Sequence, residues 1–206
     1  MKKYFTALSA TALISAAPFA LAASSTDMTV TGTITPSACL PTLSGNGIVD
    51  YGKISSKDLN QNTSTPLESR LLSLSVSCDG AMPFALRGID NRANSTTFNN
   101  TFGLGKINGT QDIGRYMLGL GNAIADGVPV QPISSADGQN DWARELFWKP
   151  GNYVSVAAND DFSQPIRVQD FSVELLVGPF INRADGLDLT SEVSIDGLAT
   201  LEMNYL

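Results

Sequence analysis

The sequence predicts an all-β sandwich, and three observations carry that expectation. Several segments alternate apolar and polar residues with a period of two, clusters of Gly, Pro, Asn and Asp separate them, and beyond the first 22 residues no helical period exceeds two turns. The clearest segment is Leu72-Ser73-Leu74-Ser75-Val76-Ser77-Cys78. It sets Leu72, Leu74, Val76 and Cys78 on one face and three serines on the other, as a half-buried strand requires. Many short strands separated by such turns suit two packed sheets.

In chain order, Lys2 and Lys3 precede an apolar stretch from about Tyr4 to Phe19 that ends in Ala20-Leu21-Ala22. This is the form of a secretory signal, residues 1–22, with cleavage before Ala23 or Ser24. Of the 206 residues 184 then remain, enough for one sizeable core. The signal takes two lysines and no acid with it, so 13 basic and 20 acidic side chains become 11 and 20, a net charge of −9. Such a surface repels phosphate backbones, and no nucleic-acid partner is expected. Cys39 and Cys78 are the two cysteines. Oxidising surroundings outside the cytoplasm favour a disulfide between them, with two separate buried thiols as the alternative.

Residues 28–35, Met-Thr-Val-Thr-Gly-Thr-Ile-Thr, alternate without a break. Residues 48–54 follow as a short strand between Ser44-Gly45-Asn46-Gly47 and a mostly polar run from Ser55 to Ser64. After Leu72–Cys78, a turn at Asp79-Gly80 leads into a strand over 83–89, and the polar stretch 90–101 reads as a surface loop. Residues 115–120 form a short apolar strand. The segment 122–141, with Gly127, Gly138, Pro129 and Pro132, reads as a loop with one extended piece. Strands at 146–148 and 153–157 flank a turn at Pro150-Gly151-Asn152, Phe171, Val173, Leu175 and Val177 resume the period of two, and a last strand spans 198–205.

The side chains offer little for chemistry. The chain has no histidine, which removes Ser/His and Cys/His nucleophiles and histidine-containing zinc patterns, and two cysteines cannot build a four-thiolate site. Gly103-x-Gly105-Lys106 lacks the spacing of a phosphate loop, and Gly119-x-Gly121 lacks the third glycine of a dinucleotide loop. Asp160 with Asp161, and Asp185 with Asp188, read as turn carboxylates rather than a hydrolytic pair or calcium ligands. Trp142, Phe147, Trp148 and Tyr153 could form a sugar-binding cluster. The simpler expectation is that Phe147, Trp148 and Tyr153 pack under the adjacent turn. No enzymatic activity, metal or cofactor is expected.

The two termini are more specific. Gly32 interrupts an otherwise regular strand, which points to close approach by another backbone or to a shallow site beneath it. At the other end Ala199, Leu201, Met203 and Tyr205 alternate with Thr200, Glu202 and Asn204, so the strand runs almost to Leu206. Gly32 seven residues before Cys39, the approach Pro36-Ser37-Ala38-Cys39, Cys78 closing an alternating strand and the penultimate Tyr205 together resemble the pilin subunits of the chaperone-usher pathway. The resemblance spans the exported chain but is specific only at the termini and cysteines. Many pilins carry a glycine fourteen residues from the end, where this chain has Val193, with Gly197 the nearest glycine. That departure, with the long polar middle, is similar to an outlying, poorly characterised fimbrial-like group.

The resemblance implies an incomplete immunoglobulin-like sandwich (residues 37–206) that lacks its last strand, preceded by a donor-strand extension (residues 23–36). Met28, Val30 and Ile34 would fill a neighbour's pockets and Gly32 would lie over a shallow one, by the strand addition known for chaperone-pilin pairs. Ala199, Leu201, Met203 and Tyr205 would line the groove, and Leu206 would present its carboxylate to a periplasmic chaperone. The implied function is a structural fimbrial subunit, passed from the periplasm to an outer-membrane usher. It would be polymerised head to tail with neighbouring subunits into a surface fibre whose receptor, if any, is unnamed. The alternative is a self-contained periplasmic or secreted sandwich that uses 28–35 as its own strand and binds a carbohydrate or protein through its loops.

Overall fold

Most of the alternating segments after Cys39 become strands of a sheet. The computed structural model describes residues 28–32 and 38–206; the expected signal (1–22), residues 23–27 and the segment 33–37, which includes Ile34, lie outside the described residues. Contacts divide the chain between Ile34 and Thr35. In the second unit eight strands have five or more residues: β1 (Cys39–Leu43), β2 (Arg70–Met82), β3 (Phe84–Asp90), β4 (Gly114–Ala125), β5 (Gln131–Ser135), β6 (Tyr153–Ala157), β7 (Val168–Ile181) and β8 (Ala199–Tyr205). Among the described residues the only helical pieces are short 3-10 turns.

The strands form two antiparallel sheets. One runs β1-β2-β7-β4 and ends on the short strand Phe147–Trp148, and the other runs from Ala143–Arg144 through β5, β6 and β3 to β8. Register follows the period of two: Leu72, Leu74 and Val76 sit opposite Leu175, Val173 and Phe171, so the apolar residues of β2 and β7 share one face. Leu74, Val76, Val173 and Leu175 are buried, as are Phe84 and Leu86 of β3 and Val154 and Val156 of β6. Phe84 of one sheet and Phe171 of the other meet with ring centroids 6.0 Å apart. Cys39 and Cys78 are cross-strand partners and form the disulfide, tying β1 to β2.

Gly88 of β3 makes room for Trp148, because a Cβ there would lie 2.7 Å from the indole Nε1. Trp148 thus reaches from the border of the first sheet to the second, with Nε1 donating to the Asn152 carbonyl at 3.3 Å.

Several sequence expectations need correcting. Asp79-Gly80 is not a turn. β2 continues through it to Met82, helped by a bulge in β7 between Val168 and Asp170, and the chain changes sheet at Pro83, which separates β2 from β3. Residues 48–54 are not a strand, since Gly52 adopts φ +63° and the segment has no ladder partner. The region from Asn122 is a hairpin in its first part. Asp126 and Gly127 both have positive φ, and Val128 and Pro129 fold back on Ala125 and Ile124. The aromatic group is divided. Trp148 is buried in the core and Trp142 lies in a separate cluster with Ala85, Ile133 and Ala157, whereas Phe147 is exposed rather than packed under the turn.

Replacing both cysteines by serine is expected to lower the unfolding free energy by about 3–4 kcal/mol, the chain-entropy value for a loop of this size. Chemical denaturation of the oxidised protein and the double variant checks it, and equal midpoints would show that the strand pairing alone holds β1.

Candidate functional site

One end of each sheet is a strand with no ladder partner on its outer side among the described residues, and these two strands meet at one corner. Among the described residues β1 pairs only with β2, and β8 only with β3, from Ala199 opposite Asp90 to Tyr205 opposite Phe84. The Cys39 N–H donates to Tyr205 Oη at 3.0 Å, which brings the start of β1 to the end of β8. The two sheets therefore approach each other at this corner, between the start of β1 and the end of β8.

Burial along β8 reports the same opening. Ala199, Leu201 and Met203 pack against the core but are only half-buried, while the inward residues of the interior strand β7 from Phe171 to Val177 are buried. Tyr205 and Leu206 are 48 % and 45 % exposed, so Tyr205 contributes its hydroxyl to the β1 contact rather than a ring to the interior. Leu43 of β1 is half-buried against the same core.

The chain beyond these edges is irregular and forms a cleft. After β1, residues 48–54 run without ladder pairing, with Val49 and Ile54 half-buried and Tyr51 Oη donating to the Val177 carbonyl at 3.3 Å. Before β8, residues 187–195 run likewise, with Leu187, Leu189 and Val193 half-buried. Between them lies a cleft of about 740 Å³ floored by Leu59, Ile107, Ile113 and Ile181. Lys53 and Glu192 approach to 3.9 Å, but both are almost fully exposed and such a pair contributes little.

Gly197 precedes β8 where a Cβ would come within 3.0 Å of Leu104 and 3.1 Å of Tyr116, so its close fit to the core has a steric reason. Val193, at the position where many pilins have glycine, is a half-buried wall of the cleft. Burial raises the Tyr116 pKa far above its ordinary value and keeps the ring neutral beneath this region.

In the first unit, residues 28–32 carry no strand pairing. Met28 and Val30 are 87 % and 84 % exposed, and a Cβ on Gly32 would meet nothing within 4 Å.

The carboxylates singled out in the sequence have local duties. Asp161 accepts from the Ser163 hydroxyl and backbone N–H, and Asp188 from those of Thr190; in each case these bonds, the side-chain one foremost, lower the carboxyl pKa. Lys106 of the glycine-rich stretch pairs with Asp112, Nζ to Oδ1 at 2.5 Å. Among the described residues no three Cys, Asp or Glu side chains gather as metal ligands. Of the cleft walls, sequence reading took residues 48–54 for a strand and Val193 for a departure from the pilin pattern; for the rest of 187–195 the alternation of Leu187 and Leu189 was the available signal.

Comparison with known proteins adds relatives. Residues 28–125 match the model of a family described as a protein of unknown function, DUF1120. The chain is 27 % identical to protein GltF of Escherichia coli K12, over all of this chain and 99 % of that protein. It is also 30 % identical to the uncharacterized protein YhcF of the same strain, over 52 % of this chain and 44 % of YhcF.

Tyr205→Phe should remove the acceptor of the Cys39 N–H, cost about 1 kcal/mol and loosen the contact between the two edges. Hydrogen exchange reads it directly: the Cys39 amide should exchange faster than in the parent while amides in the middle of β7 are unchanged, and an unaltered Cys39 rate would mean that the hydroxyl does not join the edges.

Proposed function

We propose that the chain is a structural subunit of a surface fibre, an incomplete immunoglobulin-like sandwich whose missing strand comes from another molecule. The observation that carries this is the pair of open edges, β1 and β8, joined by the Cys39–Tyr205 bond over a partly wet apolar row. Unpaired edges of this kind invite a further strand and are a hazard until they receive one. An extended segment placed beside β8 would pair with its backbone and cover Ala199, Leu201 and Met203.

The donor is residues 23–36 of the next subunit. Met28, Val30 and Ile34 recur at the two-residue spacing that sends side chains to one face, and Gly32 between them lets the strand pass a shallow point. One donor and one acceptor per chain make the contact head to tail, so assembly extends rather than closes. In this reading the signal exports the chain to the periplasm, a chaperone fills the groove and holds the Leu206 carboxylate, and an outer-membrane usher exchanges that strand for a neighbour's. The protein has no catalytic role and needs no cofactor.

The test is a thermal melt of protein lacking residues 23–36, with and without a peptide of residues 25–36, using a peptide with Gly32→Lys as the control. A large, saturable rise in melting temperature with the native peptide alone is the expected result. A truncated domain that is stable and indifferent to the peptide would show a sandwich complete in itself, and the fibre reading would fall.

A further inference from the structure

Away from the open edges, the outer face of the first sheet carries a cation with no anionic partner among the described residues. Arg115 lies on β4, on the outward row with Met117 and Gly119, since Tyr116, Leu118 and Leu120 between them are buried. Its cross-strand neighbours are Phe180 of β7 on one side and Gly103 on the other. The guanidinium carbon sits 3.8 Å from the ring centroid of Phe98 and 5.1 Å from that of Phe180. Phe98 comes from the connection between β3 and β4, which is pinned by Ser95: its Oγ donates to the Arg92 carbonyl at 2.7 Å and accepts from the Gly105 N–H at 2.9 Å. The ring is therefore held over the guanidinium by a fixed loop.

Among the described residues no carboxylate or carbonyl accepts a hydrogen bond from the Arg115 side chain, although the side chain is half-buried. Burial without a counter-charge lowers its pKa, yet a guanidinium stays charged at neutral pH. The group opens onto a cleft of about 410 Å³ whose other walls include Asn62, Thr63, Ser64, Asn182 and Arg183. The one carboxylate on that wall, Asp112, is occupied by Lys106. Arg183 stands at the rim with Nε bound to Asp185 at 3.0 Å. In a chain of net charge −7, an uncompensated guanidinium in a cleft is not general surface chemistry.

We propose that this cleft is a binding site for a carboxylate-bearing sugar. Two aromatic faces fix the plane of the guanidinium, leaving its N–H groups to the cleft, where they match the two oxygens of a carboxylate. The amides of Asn62 and Asn182 and the hydroxyls of Thr63 and Ser64 suit a ring of sugar hydroxyls, and Phe98, 51 % exposed, offers an apolar face for sugar C–H groups. The cleft volume lies in the range of small-molecule sites. The cleft and the β1/β8 edges use different strands, although Leu187 lines this cleft as well as the one beside those edges.

The test is an NMR titration of the full, isotopically labelled chain with glucuronate, with glucose, acetate and inorganic phosphate as separate arms. Glucuronate should give saturable shifts confined to residues 62–64, 98, 115 and 182–187, and glucose, lacking the carboxylate, should give none. Arg115→Lys keeps the charge but loses the planar fork and should weaken binding by about tenfold or more. Phe98→Ala, at an exposed position, should weaken it as well without disturbing the fold. Three results would overturn the proposal: no saturable shift with glucuronate, equal binding of acetate or phosphate, or undiminished binding by both variants.

Discussion

A sheet must end, and its last strand leaves one row of backbone groups without a ladder partner. In this protein two of the four sheet ends meet, because β1 ends one sheet and β8 the other, and Cys39 and Tyr205 bring them together. The remainder of the second unit accommodates that arrangement. The disulfide fixes β1 to β2 at the same residue that donates to Tyr205, so the shared corner is covalently and hydrogen-bond anchored. Away from the corner the chain gives up regular pairing, and 48–54 and 187–195 border a cleft instead of extending the sheets.

That division gives the groove a rigid end and an irregular one. At the rigid end the strands on either side are held by full ladders, β8 through seven register pairs with β3. At the irregular end the walls are apolar side chains on unpaired backbone: Val49, Ile54, Leu187, Leu189 and Val193. Backbone pairing can proceed along β8, whereas side-chain packing dominates in the cleft. The two ends thus ask different things of anything that fills them: hydrogen-bonding backbone at one and apolar bulk at the other.

Much of this was legible in the sequence, and the parts that were not have identifiable reasons. β2 and β7 lie at the centre of a sheet whose inner face is buried and outer face largely wet, so their period of two is clear in Leu72–Cys78 and Phe171–Val177. The strand at 199–205 was legible for the same reason, whereas its place at an edge was expected from the resemblance of the termini and not from alternation, which looks alike in an edge and an interior strand. Residues 48–54 misled because Val49 and Ile54 face the core without any ladder, and Gly52 supplies a left-handed step that a strand excludes. Asp126-Gly127 is a good hairpin signal, but the prolines and glycines around it read as loop. The setting of Arg115 was beyond sequence reading, because Phe98 and Phe180 are brought to it by one long connection and one cross-strand pair.

The two open edges are also unequal as templates. The Ala38 carbonyl accepts from Asp79 N–H on the β2 side, and Cys39 donates away from it to Tyr205. Alternation then turns the backbone of residues 40 and 42 toward β2 and that of 39, 41 and 43 toward the open side. Position 41 is proline and has no N–H to offer, and the Cys39 donor is already taken. The open edge of β1 thus retains one free donor, at Leu43, which blunts it as prolines do on many natural edges. β8 contains no proline and only one charged residue, Glu202. A strand added to this side of the protein as proposed would therefore take its ladder from β8 and meet β1 chiefly through side chains, leaving β8 to set its register.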